Sequence, residues 1–347
     1  MDQNILLYEV QPGDTLGKIG KTIGMTGDQL KDFHNSHCGK MDKVWFDNLF
    51  GIKQIIIPKD YKSPEQLQKE RATELPPLYL TEDFYADRYF VKETFSDFSG
   101  NILEIDYQLD IHLKTSQETG ISDYIAHVRC YDFRKNRNHP DDKISEISLA
   151  CMESISPINF TFASKGKISG IFEFEKLKQR FQEKRPDLET FFVGEVYKAY
   201  LDKFERNLGN LEYILKQFSS TLLCQLMFPK MEWFHKTGNW PEDFYFIQNS
   251  FPVKCRMSAE YHHTKPETVE TLLKGYIEEP FSIREVLRGV RFTEEPEEEA
   301  DGEIEFRYRT DKKTKKMLQA EASVILKNED ELYRKQTLKL ICNEKIS

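Results

Sequence analysis

The spacing of apolar residues over the first 58 positions predicts a small unit of strand, helix, helix and strand. A strand-like run covers residues 5–10, and apolar residues then recur at threes and fours in two short segments, the spacing of a helix face. Thr15 and Thr26 precede these segments as N-caps, and Gly24 follows the first as a C-cap. An apolar run at 55–57 predicts the closing strand.

A polar segment separates this unit from a longer, β-rich remainder. Residues 59–77 are rich in Lys, Glu, Gln and Arg and end in two prolines, which predicts a linker. Apolar and polar residues alternate strictly over 103–113, the pattern of a strand with one face in water. Further strands are predicted at 124–133, 158–163 and 168–174.

Helical spacing dominates the middle of the chain. Apolar residues at threes and fours predict a helix at 143–155, and over 187–226 they predict two long helices or one helix with a break at Gly209. Such apolar stripes are typical of core-facing helices, and a groove for a partner helix is the alternative. A helical insert is predicted at 266–273. Strands after the helices are predicted at 251–262, 303–309, 317–326 and 332–342.

Together these elements predict the α+β class. We expect a βααβ module followed by a larger α+β body in which two antiparallel sheets flank a helical hairpin. The sheets are predicted as separate because the helices lie between the two groups of strands in the chain. The predicted division is a module at 1–58, a linker at 59–77, an α+β domain at 78–228 and a β-rich domain at 229–347.

Composition and charge narrow the classes of function. The chain has 347 residues, of which 39% are apolar and 31% charged, as in folded globular proteins. The net charge of −9 argues against nucleic-acid binding, which needs a dense surface of Lys and Arg. No run approaches the roughly 20 apolar residues of a membrane span, and the N-terminus lacks the features of an export signal. We therefore expect a cytoplasmic protein.

The spacing of cysteines, histidines and carboxylates in the sequence predicts no metal or redox site. The six cysteines contain no CxxC pair, which predicts free thiols. Residues 34–38 offer two histidines and a cysteine but no fourth metal ligand. His262 and His263 lie at the end of a predicted strand and point to opposite faces, so they cannot both serve one site without a bulge. The eight carboxylates of 294–305 predict a solvated loop, with attraction of cations or a basic partner as the alternative.

The common catalytic motifs are absent from the sequence. There is no Walker loop, GxGxxG loop, GxSxG elbow or HExxH helix. We therefore predict no enzymatic activity, no catalytic residue, no cofactor and no metal. A hydrolase with paired carboxylates stays open, because the separation of two carboxylates is a property of the folded chain.

Two motifs in the N-terminal unit resemble a known module. A Gly-Asp-Thr-Leu motif begins at Gly13, and a Gly-x-x-Gln-x-x-Ile-Pro motif ends at Pro58. Together they resemble the LysM module over residues 5–58. The resemblance implies binding of N-acetylglucosamine polymers such as peptidoglycan or chitin in a groove between two loops. The residues implied for this groove are Gly13, Asp14, Thr15, Leu16, Asn35, Gly51, Ile52 and Gln54.

The segment between the second helix and the closing strand departs from the LysM pattern. Residues 36–50 are longer and more aromatic than the family's loop. Their apolar side chains could stack on sugar, cover a neighbouring domain or bind a protein. Because the segment lies where the sugar would bind, we favour protein docking. The docking candidates are Trp45, Phe46, Leu49 and Phe50.

The resemblance also suggests a cellular setting. LysM-like modules without export signals occur in baseplate and spike-associated proteins of bacterial contractile injection systems, including type VI machines. We expect a non-catalytic adaptor or structural protein of such a machine, with proteins of the assembly as partners, either cytoplasmic or exported through the machine. The alternative is a peptidoglycan-binding protein or cell-wall hydrolase delivered without a cleavable signal. An effector or immunity partner is a third hypothesis.

Overall fold

The computed structural model shows two units and confirms the α+β class. The units are Met1–Thr73 and Glu74–Ser347, and the strands form two antiparallel sheets, one in each unit. The second unit spans both segments predicted as separate body domains, 78–228 and 229–347. The structure describes residues 5–59, 64–116, 123–292, 299–329 and 331–343.

The first unit has the predicted βααβ order. Its two strands pair antiparallel, with Ile5 opposite Pro58 and Glu9 opposite Gln54. The predicted caps are confirmed: Thr15 accepts a hydrogen bond from the backbone N–H of Lys18, and Thr26 forms a capping box. The elements are β1 (Ile5–Glu9), α1 (Leu16–Ile23), α2 (Gly27–His37) and β2 (Gln54–Pro58).

A short helix, α3, covers Pro64–Glu74 within the predicted linker. The apolar residues of the first unit meet in a small core between its two helices and its sheet. This core takes side chains from both helices, from the turn between them, from β2 and from the segment that joins α2 to β2. Its buried members are Leu16, Ile19, Met25, Leu30, Val44, Leu49 and Ile55.

The described strands of the second unit form one sheet of eleven antiparallel strands. In chain order they are β3 (Arg88–Asp97), β4 (Ile102–Ser116), β5 (Asp123–Lys135), β6 (Ile158–Phe162), β7 (Ile168–Ile171), β8 (Trp240–Phe244), β9 (Val253–His262), β10 (Thr268–Ile277), β11 (Ala300–Asp311), β12 (Met317–Asn328) and β13 (Glu331–Cys342).

The order across this sheet is β7-β6-β5-β4-β3-β13-β12-β11-β10-β9-β8. Two meanders, β3–β7 before and β8–β13 after the helical region 174–227, are therefore joined where the first described strand of the unit pairs with its last. Leu338 of β13 lies opposite Glu93 of β3, and Leu340 lies opposite Val91. The body thus has one sheet, where two separate sheets were predicted, because β3 and β13 pair across about 240 residues of chain.

The helical region differs from the predicted hairpin of two long helices. The break at Gly209 is confirmed, but further breaks occur at Gly194 and at 220–221. Gly194 has φ of +128°, outside the helical region, so the apolar spacing that crosses it does not belong to one helix. The described helices of the unit are α4 (Lys143–Ile155), α5 (Phe174–Phe191), α6 (Glu195–Leu208), α7 (Leu211–Ser219), α8 (Leu222–Met227) and α9 (Ile283–Arg288).

Two buried tyrosines fix α8 to the sheet. Tyr85, just before β3, donates to the backbone carbonyl of Met227, and Tyr308 of β11 donates to that of Leu226. The last carbonyls of a helix have no partner within it, so these hydroxyls satisfy groups that burial would otherwise penalise. Burial also raises the pKa of Tyr308 well above its usual value, so the hydroxyl keeps its proton and remains a donor.

The prediction of a helical insert at 266–273 is wrong. Residues 268–273 of this segment belong to β10, which pairs with β9 on one side and β11 on the other. Val269, Leu272 and Leu273 are all buried there. Both faces of the sheet are therefore covered at this strand, and the apolar spacing does not mark one face of a helix. Pairing with two neighbouring strands overrides the local helical pattern.

The position of β13 gives a stability prediction. Leu338→Ala should lower the free energy of unfolding of the second unit by about 2–5 kcal/mol, because it removes a buried side chain from the middle of the sheet. Ile341→Ala is the matched control, because Ile341 lies on the same strand but its aliphatic side chain is exposed. Urea unfolding followed by fluorescence and circular dichroism measures both changes, and equal losses would contradict a central role for the buried face of β13.

Candidate functional site

The two loops that the resemblance assigns to a sugar groove contact each other directly. The backbone N–H of Leu16 donates to the carbonyl of Asp47 at 3.1 Å, and that of Gly17 donates to its Oδ1 at 2.9 Å. Thr15 and Asn48 form an antiparallel bridge beside these bonds. The Asp47 carboxylate therefore lies at the N-terminus of α1, where a negative charge is stabilising.

Asp14 holds the turn that precedes α1. Its Oδ2 accepts hydrogen bonds from the Tyr8 hydroxyl at 3.0 Å and from the Gln11 backbone N–H at 2.8 Å. The hydrogen bond to this carboxylate raises the pKa of Tyr8. One oxygen of Asp14 is thus occupied by bonds within the turn, and the side chain has a structural role there.

Asn35 fixes the segment between α2 and β2. Its Nδ2 donates to the carbonyl of Val44 at 2.7 Å, and its Oδ1 accepts the Val44 backbone N–H at 2.8 Å. Both polar groups of the side chain are therefore used on one backbone position. The pair of bonds holds Val44 in the core, immediately before the aromatic residues of this segment.

His34 is a buried structural residue in the same place. Its Nδ1 accepts the Ile56 backbone N–H at 3.0 Å, and its Nε2 lies 2.9 Å from the carbonyl of Asp42. These partners require a neutral ring with the proton on Nε2, which donates to Asp42. Since both ring nitrogens have backbone partners, His34 has no free nitrogen for a metal ion.

The residues implied for the groove come together around the two loops, but they differ in exposure. Gly13, Gly51 and Gln54 are exposed, and the side chain of Leu16 is buried in the core. The remaining four are half-buried: Asp14, Thr15, Asn35 and Ile52.

The docking candidates separate into one buried and three exposed side chains. Trp45 is 71% exposed, Phe46 is 78% exposed and Phe50 is 93% exposed. Leu49 is only 3% exposed and packs in the core, so it cannot contact a partner at the surface. We call Trp45, Phe46 and Phe50 the aromatic segment.

The other reactive groups do not assemble into a site in the described part of the chain. No group of three or more His, Cys, Asp or Glu is placed there to hold a metal ion. His262 and His263 contact different carboxylates, those of Glu260 and Glu74. Of the acidic run at 294–305, residues 294–298 lie outside the described residues.

The six cysteines are free thiols, as predicted. Burial raises the pKa of four of them to about 12. The reactive thiolate form of these side chains is therefore disfavoured at neutral pH. The four are Cys130, Cys151, Cys224 and Cys255.

Comparison with known proteins gives no family. No protein-family model matches the chain, and no curated protein matches it. One similar solved structure is titled "Lipid-protein interactions in lipovitellin", with 7% sequence identity and a TM-score of 0.36. The match covers 75% of this chain and 25% of the lipovitellin chain, and a likeness at this score carries no argument about function.

A further property of the helices is their length and apolar character. Among the helices of the described residues, none is long and apolar enough to cross a bilayer. This agrees with the sequence, where no apolar run of the required length was predicted.

Sequence reasoning missed the role of Asp47. It bonds to Gly17, thirty positions earlier, and no local pattern reveals a bond across that separation. The role of His34 was also hidden, because a histidine between polar neighbours gives no indication that both of its nitrogens meet backbone groups.

The contacts of His34 give a prediction for the first unit. His34→Ala leaves the Ile56 N–H and the Asp42 carbonyl without partners, which should lower the free energy of opening β2 by about 2–4 kcal/mol. His37→Ala, an exposed histidine on the same helix, is the control. Hydrogen exchange of the Ile56 amide measures the change, and unaltered protection would show that His34 does not hold β2.

Proposed function

We propose that the chain is a non-catalytic binding protein whose N-terminal, LysM-like unit docks on a partner protein through the aromatic segment. The observation that carries this proposal is the exposure of Trp45, Phe46 and Phe50 within six residues. Exposed aromatic side chains are enriched at protein interfaces, where a few of them supply most of the binding energy.

The hydrogen bonds of the two loops favour docking over sugar binding. One oxygen of Asp14 and both polar groups of Asn35 are hydrogen-bonded within their own unit, and Asp47 joins the loops. Fewer polar groups are then left to bind a glycan there. Peptidoglycan binding remains the second candidate, because aromatic rings such as Trp45 also stack on sugar faces.

The setting that we propose is a bacterial contractile injection machine of the type VI kind, with the chain as an adaptor or structural component. This part of the proposal rests on the resemblance of the N-terminal unit to LysM modules of such machines. A peptidoglycan-directed protein or cell-wall hydrolase is the alternative setting.

The test compares two ligands with the same variants. The full chain is mixed with insoluble peptidoglycan and sedimented, and in parallel it is used to capture partners from cells that make it natively. Docking predicts no sedimentation and a partner that is lost with Trp45→Ala and with Phe50→Ala. Phe98→Ala is the matched control, since Phe98 is 77% exposed but lies in the second unit.

Two results would contradict docking through this segment. The first is sedimentation with peptidoglycan that Trp45→Ala abolishes, which supports the glycan alternative. The second is a partner captured equally by the wild type and by both aromatic variants.

A further inference from the structure

An apolar cavity lies between the sheet and the helices of the second unit. Its volume is about 420 Å³, within the range of pockets that hold small molecules. Ile105 of β4 and Val128 of β5 form part of its floor, and Met152 of α4 and Leu223 of α8 form part of its roof. Protein interiors contain few voids larger than a water molecule, so a space of this size suits a ligand.

Three polar side chains line this cavity where the paired strands β3 and β13 form its floor. They are Glu93 of β3 and Arg334 and Gln336 of β13. Alternate residues of a strand share a face, so these side chains continue the inward rows that contain Val91 and Leu338. The lining is mostly apolar, although Ser220, Thr221 and Gln248 also belong to it, and the one carboxylate and one guanidinium among its described residues lie together on β3 and β13, which we call the polar end.

Glu93 and Gln336 satisfy each other at this end. The Nε2 of Gln336 donates to Oε1 of Glu93 at 2.6 Å. Burial raises the pKa of Glu93, and the Gln336 bond and the charge of Arg334 oppose that rise only in part. The Gln336 bond thus occupies one oxygen of Glu93 within the lining.

The guanidinium of Arg334 has no side-chain hydrogen bond of this kind within the described part of the chain. Its guanidinium lies 5.5 Å from the centre of the Phe95 ring, and no described residue gives it a hydrogen bond or an ion pair. Burial lowers the pKa of this arginine, yet a guanidinium remains charged at neutral pH. A partly desolvated cation with a fork of donors suits a carboxylate, which it can bind through two parallel bonds.

The charge of the lining limits the ligand to one negative charge. Among the described residues that line the cavity, Arg334 is the one basic side chain, and Glu93 lies beside it. A dianionic head group would leave one charge without a partner in apolar surroundings, at a high desolvation cost. A ligand with a single carboxylate would have its one charge paired with Arg334 and would not carry this cost.

We infer that this cavity binds a small amphipathic molecule with one long apolar tail and a carboxylate head, the tail lying over Ile105, Val128 and Met152 and the head at Arg334. The fatty acids are the simplest molecules of this class. The inference concerns the second unit alone and goes beyond the proposed function, because it does not depend on what the aromatic segment binds.

The first test uses the unaltered full chain, stripped of bound lipid, and ligands that differ only in the head group. Displacement of a fluorescent fatty acid by palmitate, hexadecanol and hexadecylamine gives three affinities. Palmitate should bind with one molecule per chain and about tenfold or more tighter than hexadecanol, since a hydrogen bond to a charged group contributes well over 1 kcal/mol. Hexadecylamine should bind most weakly.

The second test places the head and the tail. Arg334→Gln should weaken palmitate about tenfold or more and leave hexadecanol within about twofold. Lys335→Gln, the next residue on the opposite face of β13, is the matched control and should change neither affinity. Met152→Trp fills the tail region and should weaken both ligands, with circular dichroism to verify that each variant is folded.

Several results would overturn the inference. They are a lack of saturable palmitate binding, equal affinities for palmitate and hexadecanol, and an unchanged palmitate affinity in a folded Arg334→Gln variant. Because the head-group series needs no substitution, it decides the question even if a variant fails to fold.

Discussion

The second unit depends on the pairing of β3 with β13. This contact joins the meander β3–β7 to the meander β8–β13 and makes one sheet of strands that would otherwise form two. The helices between the meanders can cover a shared face only because the sheet is continuous. The polar end of the cavity also lies on these two strands, since Glu93 comes from one and Arg334 from the other. One pairing therefore determines both the architecture and the pocket.

Local signals predicted the first unit well and the second unit only in part. Caps such as Thr15 and Thr26 act within a few residues, so the sequence reveals them directly. The partner of β3 is about 240 residues away, and no local pattern identifies it. At Gly194 the apolar spacing continued through a glycine whose φ leaves the helical region, which led to helices of the wrong length.

The site residues show a similar division. The motifs predicted two loops that flank a groove, but the bonds that join Leu16 and Gly17 to the second loop come from Asp47, whose position only the fold reveals. Leu49 has the same apolar character as its neighbours, and only packing shows that it faces inward. In β13 the polar Arg334 and Gln336 follow the inward row of Leu338, a signal that has meaning only once the face is known.

The central position of β13 has a consequence during protein synthesis. At about 5–20 residues per second, a ribosome needs roughly 10–50 s to make the stretch from β3 to its partner. During that time one edge of β3 has no native neighbour, and open strand edges can pair with other chains. Arg88 and Lys92 place charge along this strand, which opposes such pairing. The nascent chain is therefore most open to aggregation before its last strand emerges.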